Sequence, residues 1–191
     1  MKPDEDGPAQ RLASRSVYDG KILQLVIEEV RLPNGGEATL EMIRHPGASA
    51  VVALTDNLEV LLVRQYRHAT GDWLLEVPAG KLDPGEGPQT CARREMEEET
   101  GYRAGDLKSL GWIWTTPGFT DEKIWLYLGT GLEKTQQNLQ GDEDLRVERL
   151  LFSEAVRMAQ EGGITDGKSI CALLRAHYIL DSGERAPRDN G

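Results

Sequence analysis

Residues 79–102 read AGKLDPGEGPQTCARREMEEETGY, and two kinds of local order meet inside them. Pro84, Gly85, Gly87 and Pro88 rule out a regular element over the first half. A loop is therefore predicted after a strand ending at Val77, with Pro88 in the first turn of a helix and Gly101 stopping it. Within that helix Glu95, Glu98 and Glu99 stand at i, i+3 and i+4, on one face within about 100° of arc, while Glu97 points roughly the opposite way. Like charges at this spacing repel, and they crowd the last turn, where the macrodipole prefers cations. A positive partner is missing. Arg94 can pair with Glu98 at i, i+4, but one guanidinium does not neutralise three carboxylates, whereas a hard divalent cation with oxygen ligands could. Taken alone, Glu-x-x-Glu-Glu also fits a solvated acidic helix end.

The flanks separate these readings. Gly80, five residues, Glu86, seven residues, then Arg94-Glu95-Met96-Glu97-Glu98-Glu99-Thr100-Gly101-Tyr102 resembles the Nudix box at every defined position, including the apolar sites at Met96 and Tyr102. Val63-Arg64-Gln65-Tyr66-Arg67, Glu76-Val77-Pro78-Ala79-Gly80-Lys81-Leu82-Asp83 and Pro117-Gly118-Phe119-Thr120-Asp121-Glu122 resemble the ADP-ribose pyrophosphatase branch of Nudix hydrolases. That branch carries a proline 16 residues beyond the final box glycine, and Pro117 stands 16 beyond Gly101.

The resemblance implies an α/β fold, a Nudix α/β/α sandwich with a mixed sheet, preceded by a small N-terminal antiparallel β-unit similar to a dimerisation segment. It implies hydrolysis of the diphosphate bond of ADP-ribose or a related nucleoside diphosphate sugar, or of GDP-mannose. A non-catalytic nucleotide-sugar sensor is the rival from another class, opposed by the complete set Arg94, Glu95, Glu98 and Glu99. Mg²⁺ or Mn²⁺ would be held by Glu95, Glu99 and the backbone carbonyl of Ala79, with Glu98 joining through water or a further metal. Arg94 would orient the box glutamates or serve as a simple helix ion pair, and Glu86 would buttress the loop. For the general base the resemblance points to the loop at residues 140–144, with Glu143 chosen and Asp142 in reserve; a solvated acidic turn is the competing reading. Arg67, Arg64, Glu76 and Pro117 are the implied substrate-binding residues, and Tyr18 would reach a partner subunit's nucleotide.

Composition sets outer limits. Twenty-two Lys and Arg against 32 Asp and Glu leave a net charge of −10, which excludes a general nucleic-acid-binding surface, since phosphate backbones select dense positive charge. Apolar runs are strand-sized, so no membrane span is predicted. The acidic opening residues lack the apolar centre of a secretory signal, and a cytoplasmic location is expected. Cys91 and Cys171 are far apart with no Cys or His at ligand spacing, and read as free thiols.

Along the chain, residues 1–15 read as a flexible tail, 16–46 as the N-terminal β dimerisation unit, 47–182 as the catalytic domain and 183–191 as a second tail. Strands are predicted at 21–32 and 37–44 around Pro33-Asn34-Gly35-Gly36, at 50–54 and 60–65 around Asp56-Asn57, and at 73–77, 109–114, 123–128 and 146–152. Ser153 is expected to cap a helix ending at Gly162-Gly163, and Asp166 to cap another. Alternation places Trp112, Trp114 and Trp125 in strands, which favours core positions for them.

Overall fold

The computed structural model describes residues 7–139, 141 and 144–183, and the chain divides into two compact units. One comprises Met1–Pro46 with Trp114–Lys123. Its sheet has the order β1 (Gln10–Asp19), β2 (Gln24–Arg31), β3 (Glu37–Arg44), antiparallel throughout. The tail expected over residues 1–15 is corrected by β1, which starts at Gln10. β1 is exposed along its whole length, so it is held by ladder hydrogen bonds rather than by a buried face and shows no two-residue apolar period. In the β2–β3 hairpin only Gly35 takes a positive φ, at 85°; Asn34 instead accepts a hydrogen bond from the Gly36 amide through its side chain, at 2.9 Å.

The buried face of β2 carries Val26, Glu28 and Val30. Glu28 is compensated by Arg44 at 2.8 Å and Arg11 at 3.2 Å, and Arg44 reaches Asp121 at 3.0 Å. The Arg44 hydrogen bond, above all, holds the Glu28 carboxyl below its ordinary value. A depressed carboxylate stabilises the fold above its unfolded value of about 4.3 and loses that contribution as pH falls through the folded value. The protection of β2 amides, taken against the intrinsic exchange rate at each pH, should therefore fall below about pH 4 in the wild type. In Glu28→Gln that protection should already be low at pH 7 and change little over the acid window. Wild-type protection in that variant at pH 7 would show that Glu28 does not hold β2.

The other unit comprises Gly47–Ile113 and Ile124–Gly191. Its strands are β4 (Ala48–Leu54), β5 (Glu59–Arg67), β6 (Asp72–Glu76), β7 (Ala79–Lys81), β8 (Tyr102–Trp114), β9 (Lys123–Lys134) and β10 (Leu145–Leu151). Among the described residues they form a mixed sheet in the order β10-β5-β4-β9-β8, with β6 on β5 and β7 on β4; β4 and β9 run parallel. The helices are α1 (Pro88–Thr100), α2 (Phe152–Glu161) and α3 (Gly167–Ser182). β4 is buried throughout because both its faces are covered. Ala50, Val52 and Leu54 pack with Phe152, Ala155, Leu173 and Ala176 of α2 and α3, while Val51 and Ala53 pack with Ala92 and Met96 of α1. The result is a three-layer α/β/α sandwich with a mixed sheet, as the resemblance implied.

Two local expectations change. α2 is preceded by Leu151 with no side-chain cap, because the helix begins directly at the end of β10, ahead of Ser153. Trp112 is half-buried and Trp114 exposed, whereas Trp125, also half-buried, packs against the core cluster of Val51, Ala92 and Met96. Asp166 does cap α3, accepting from the Ser169 amide at 3.0 Å. Both cysteines are free, and burial pushes the Cys91 thiol up to about 12, which makes it a poor nucleophile. Among the described residues no helix is long and apolar enough to cross a membrane.

Candidate active site

The site grows out of the turn between β6 and α1. β6 ends at Glu76, Val77 and Pro78 follow, β7 pairs briefly with β4, and the loop over residues 82–87 returns the chain to the start of α1. Gly85, with φ 80°, supplies a backbone conformation other residues avoid. Pro88 occupies the first turn, and Gly101, with φ 69°, ends the helix by donating to the Glu97 carbonyl. The loop and helix predicted over residues 79–102 are both present.

Glu95 and Glu99 lie on the buried side of α1, 4% and 3% exposed, because the helix face that carries them turns toward β7. Their surroundings explain two small residues. A Cβ on Gly80 would stand 2.1 Å from the carboxyl carbon of Glu95, so glycine is what gives that carboxylate its place. Glu99 Oε2 accepts from the Ala79 amide at 2.9 Å.

Arg94 organises the rest. Its guanidinium grips Glu86 through two bonds, of 2.9 and 2.7 Å, donates to Glu95 at 2.6 Å and to Glu98 at 3.3 Å, and reaches the Lys81 carbonyl at 3.2 Å. The expected i, i+4 pair with Glu98 is the longest of its hydrogen bonds to carboxylates, and Asp83 stands farther off at 3.9 Å. Glu86 also accepts from the Asp83 amide at 3.1 Å, so it ties the loop to the helix. Hydrogen bonding to Glu86 is the main reason the Arg94 guanidinium is held more firmly protonated than usual, and the same contact lowers the Glu86 carboxyl. One guanidinium thus serves Glu86, Glu95 and Glu98, and Glu99 adds a fourth carboxylate beside them. This excess of half-buried negative charge, made of hard oxygen donors, suits a divalent cation. Among the described residues no group of three or more His, Cys, Asp and Glu side chains forms a ready metal cage. Glu95 and Glu99 would offer such a cation two hard oxygen donors, and water and substrate oxygens would supply the rest, which is how Mg²⁺ is commonly held.

Arg67 and Glu76 form a second cluster. Glu76 has a side chain only 1% exposed, and Arg67 meets it with two bonds of 2.7 Å each. Arg67 lies within electrostatic reach of Glu99, and both carboxylates help to keep it protonated, Glu76 first. Arg64 is not brought to this cluster. Strand alternation turns it to the side of Val60 and Leu62, where Glu148 takes it through its Nε and, at 3.1 Å, its Nη2. Pro117 and Tyr18 belong to the first unit, Pro117 in the turn after Trp114 and Tyr18 exposed on β1 with its ring over Gly20. Glu143 and Asp142 lie outside the described residues.

Three further residues escaped sequence reasoning. Gln137 donates from its side-chain amide to the Glu99 carbonyl at 2.7 Å, the Asn138 amide donates to the Glu98 carbonyl at 2.9 Å, and Lys168 joins Glu76. The first two were foreshadowed: α1 has no basic residue in its last turn, so its orphan carbonyls require donors from elsewhere, and residues 136–138 are a polar run.

A family model for the NUDIX domain matches residues 43–173. The chain is 39% identical to a Bacillus methanolicus protein named methanol dehydrogenase activator, across 85% of this chain and 89% of that one. It is 37% identical to an ADP-ribose pyrophosphatase of Bacillus subtilis, with the same coverage of 85% and 89%. A crystal structure of an ADP compounds hydrolase shares the fold, with a TM-score of 0.80 at 21% identity over 94% of this chain and 98% of that one. With the loop and helix of residues 79–102, the family model and these relatives in agreement, the chain belongs to the NUDIX domain family.

Proposed function

We propose that this protein hydrolyses the diphosphate bond of ADP-ribose or a related nucleoside diphosphate sugar, using Mg²⁺ or Mn²⁺. The carrying observation is the pair of buried carboxylates, Glu95 and Glu99, presented on one helix face against Ala79 and Gly80. With ADP-ribose, water would bond to one phosphorus and the bridging P–O bond would break, giving AMP and ribose 5-phosphate. Glu95, Glu99 and the Ala79 carbonyl are the groups that would hold the cation, with Glu98 at its edge. When bound, such a cation neutralises phosphate oxygens and acidifies water.

The chain's own residues do the positioning. Arg94 keeps Glu95 and Glu98 in place while fixing the loop through Glu86. Arg67, anchored by Glu76, offers a guanidinium to diphosphate oxygens, with its Nη1 left for ligand among the described residues. The proton leaving the attacking water is assigned to Glu143, with Asp142 in reserve. Pro117, Arg64 and Tyr18 remain substrate contacts proposed on resemblance alone. A screen of nucleoside diphosphate sugars, GDP-mannose included, tests the reading and ranks the substrates; a folded protein that binds them without cleaving any would be the sensor instead.

The same reading takes the first unit to be a dimerisation element. β1 exposes Leu12, Val17 and Tyr18, and a three-stranded sheet buries little by itself. Sedimentation of the full chain should give a dimer, and Val17→Glu with Leu12→Glu should shift it to monomer. A full-length monomer active at nanomolar concentration would rule out a shared site.

A further inference from the structure

We infer that Lys168, at the start of α3, is a positioning residue that keeps Arg67 available to an anionic substrate by sharing its counter-ion Glu76. The inference rests on the reading of Arg67 as a diphosphate ligand. Lys168 Nζ pairs with Glu76 Oε2, the same oxygen that accepts from Arg67 Nη2, and with Asp166 Oδ2 at 2.9 Å. The ammonium is 12% exposed and Glu76 1%, so neither charge is met mainly by water.

The anchorage extends from Lys168 to its neighbours on α3. Asp166 caps α3 and also accepts from the Ser169 hydroxyl at 2.5 Å, and that hydroxyl accepts from the Val77 amide at 2.8 Å. Val77 directly follows Glu76 and lies two residues before Ala79. The segment Asp166-Gly167-Lys168-Ser169 therefore pins the end of β6 at the point from which the turn to Ala79 and Gly80 starts.

Charge balance gives this contact its consequence. Arg67 and Lys168 against Glu76 and Asp166 sum to zero. Without the ammonium, two carboxylates face one guanidinium, and Glu76 draws on Arg67 alone. A diphosphate approaching Arg67 would then meet net negative charge. Such a change weakens substrate and transition state alike, which raises KM and spares kcat.

The test uses the full-length protein, ADP-ribose and saturating Mg²⁺. Lys168→Met and Lys168→Gln should each raise KM by about tenfold, with kcat within about twofold of wild type, the size of a lost charge-assisted contact. Lys168→Arg should recover most of the affinity. The glutamine variant keeps a donor toward Glu76 without the charge, so a raised KM at wild-type thermal stability separates electrostatics from folding. Arg67→Lys is measured beside them. If Arg67→Lys leaves KM unchanged, Arg67 is not a diphosphate ligand and the underlying reading fails. If Arg67→Lys raises KM while both uncharged Lys168 variants keep the wild-type value, only the role of Lys168 is overturned. Equal losses in kcat for those variants, with KM unchanged, would also overturn it.

Discussion

Glu99→Gln is expected to lower kcat by about 10³-fold while leaving thermal stability almost unchanged. The loss follows from removing one of the two buried carboxylates that would hold the cation, because the charge stabilisation a catalytic metal gives is worth several kcal/mol, and about 1.4 kcal/mol corresponds to each factor of ten. The stability expectation follows from the contact the residue makes. Glu99 accepts from the Ala79 amide, and a glutamine keeps an oxygen of the same size in that place. Glu97→Gln is the control, because Glu97 lies off the face that Glu95 and Glu99 share. Wild-type turnover in Glu99→Gln at saturating Mg²⁺ would show that the acidic face has no part in the chemistry.

Gly80→Ala should be nearly as damaging although it adds a single methyl group. The new Cβ would fall 2.1 Å from the Glu95 carboxyl, well inside contact distance, so the carboxylate has to move. The Gly80 backbone does not require a positive φ, so alanine fits the main chain and the fold survives. Misplacing a reacting or ligating group by about 1 Å costs on the order of 10²-fold. The expected result is a fall in kcat of that size, a higher Mn²⁺ concentration for half activation, and little change in melting temperature. An alanine variant with wild-type kinetics would mean that Glu95 tolerates displacement and is not a ligand.

Legibility in the sequence followed the strength of the local signal. The loop and α1 were readable because prolines, glycines and three glutamates at helical spacing constrain one another within a single element. β4 was readable as an apolar run, and Asp166 as a cap. β1 was not, because a strand exposed on both faces carries no period. Trp114 misled in a related way, while Trp125 does pack against the core: alternation identifies a strand, but how far a neighbouring layer covers it is a tertiary fact.

The site divides along the same line. The box supplies Arg94, Glu95, Glu98 and Glu99 at fixed helical offsets, so their common face followed from spacing. Glu86 reaches Arg94 across the loop, and its double hydrogen bond exceeds the i, i+4 pair that helix geometry alone suggested. Lys168 stands 92 residues from Glu76, and no local rule connects them. Arg64 and Arg67 lie three residues apart at the end of one strand, and that odd separation turns them to opposite faces, so that only Arg67, which the resemblance favours of the two, meets Glu76.

Hydrolysis of a nucleoside diphosphate sugar at its diphosphate is read most directly by ³¹P NMR of ADP-ribose incubated with the full-length protein and Mg²⁺ or Mn²⁺, repeated with excess chelator. The diphosphate resonances should be replaced by those of AMP and ribose 5-phosphate, and chelation should stop the conversion. Intact diphosphate resonances for ADP-ribose, and for the other nucleoside diphosphate sugars, in the presence of folded protein and either cation would contradict it.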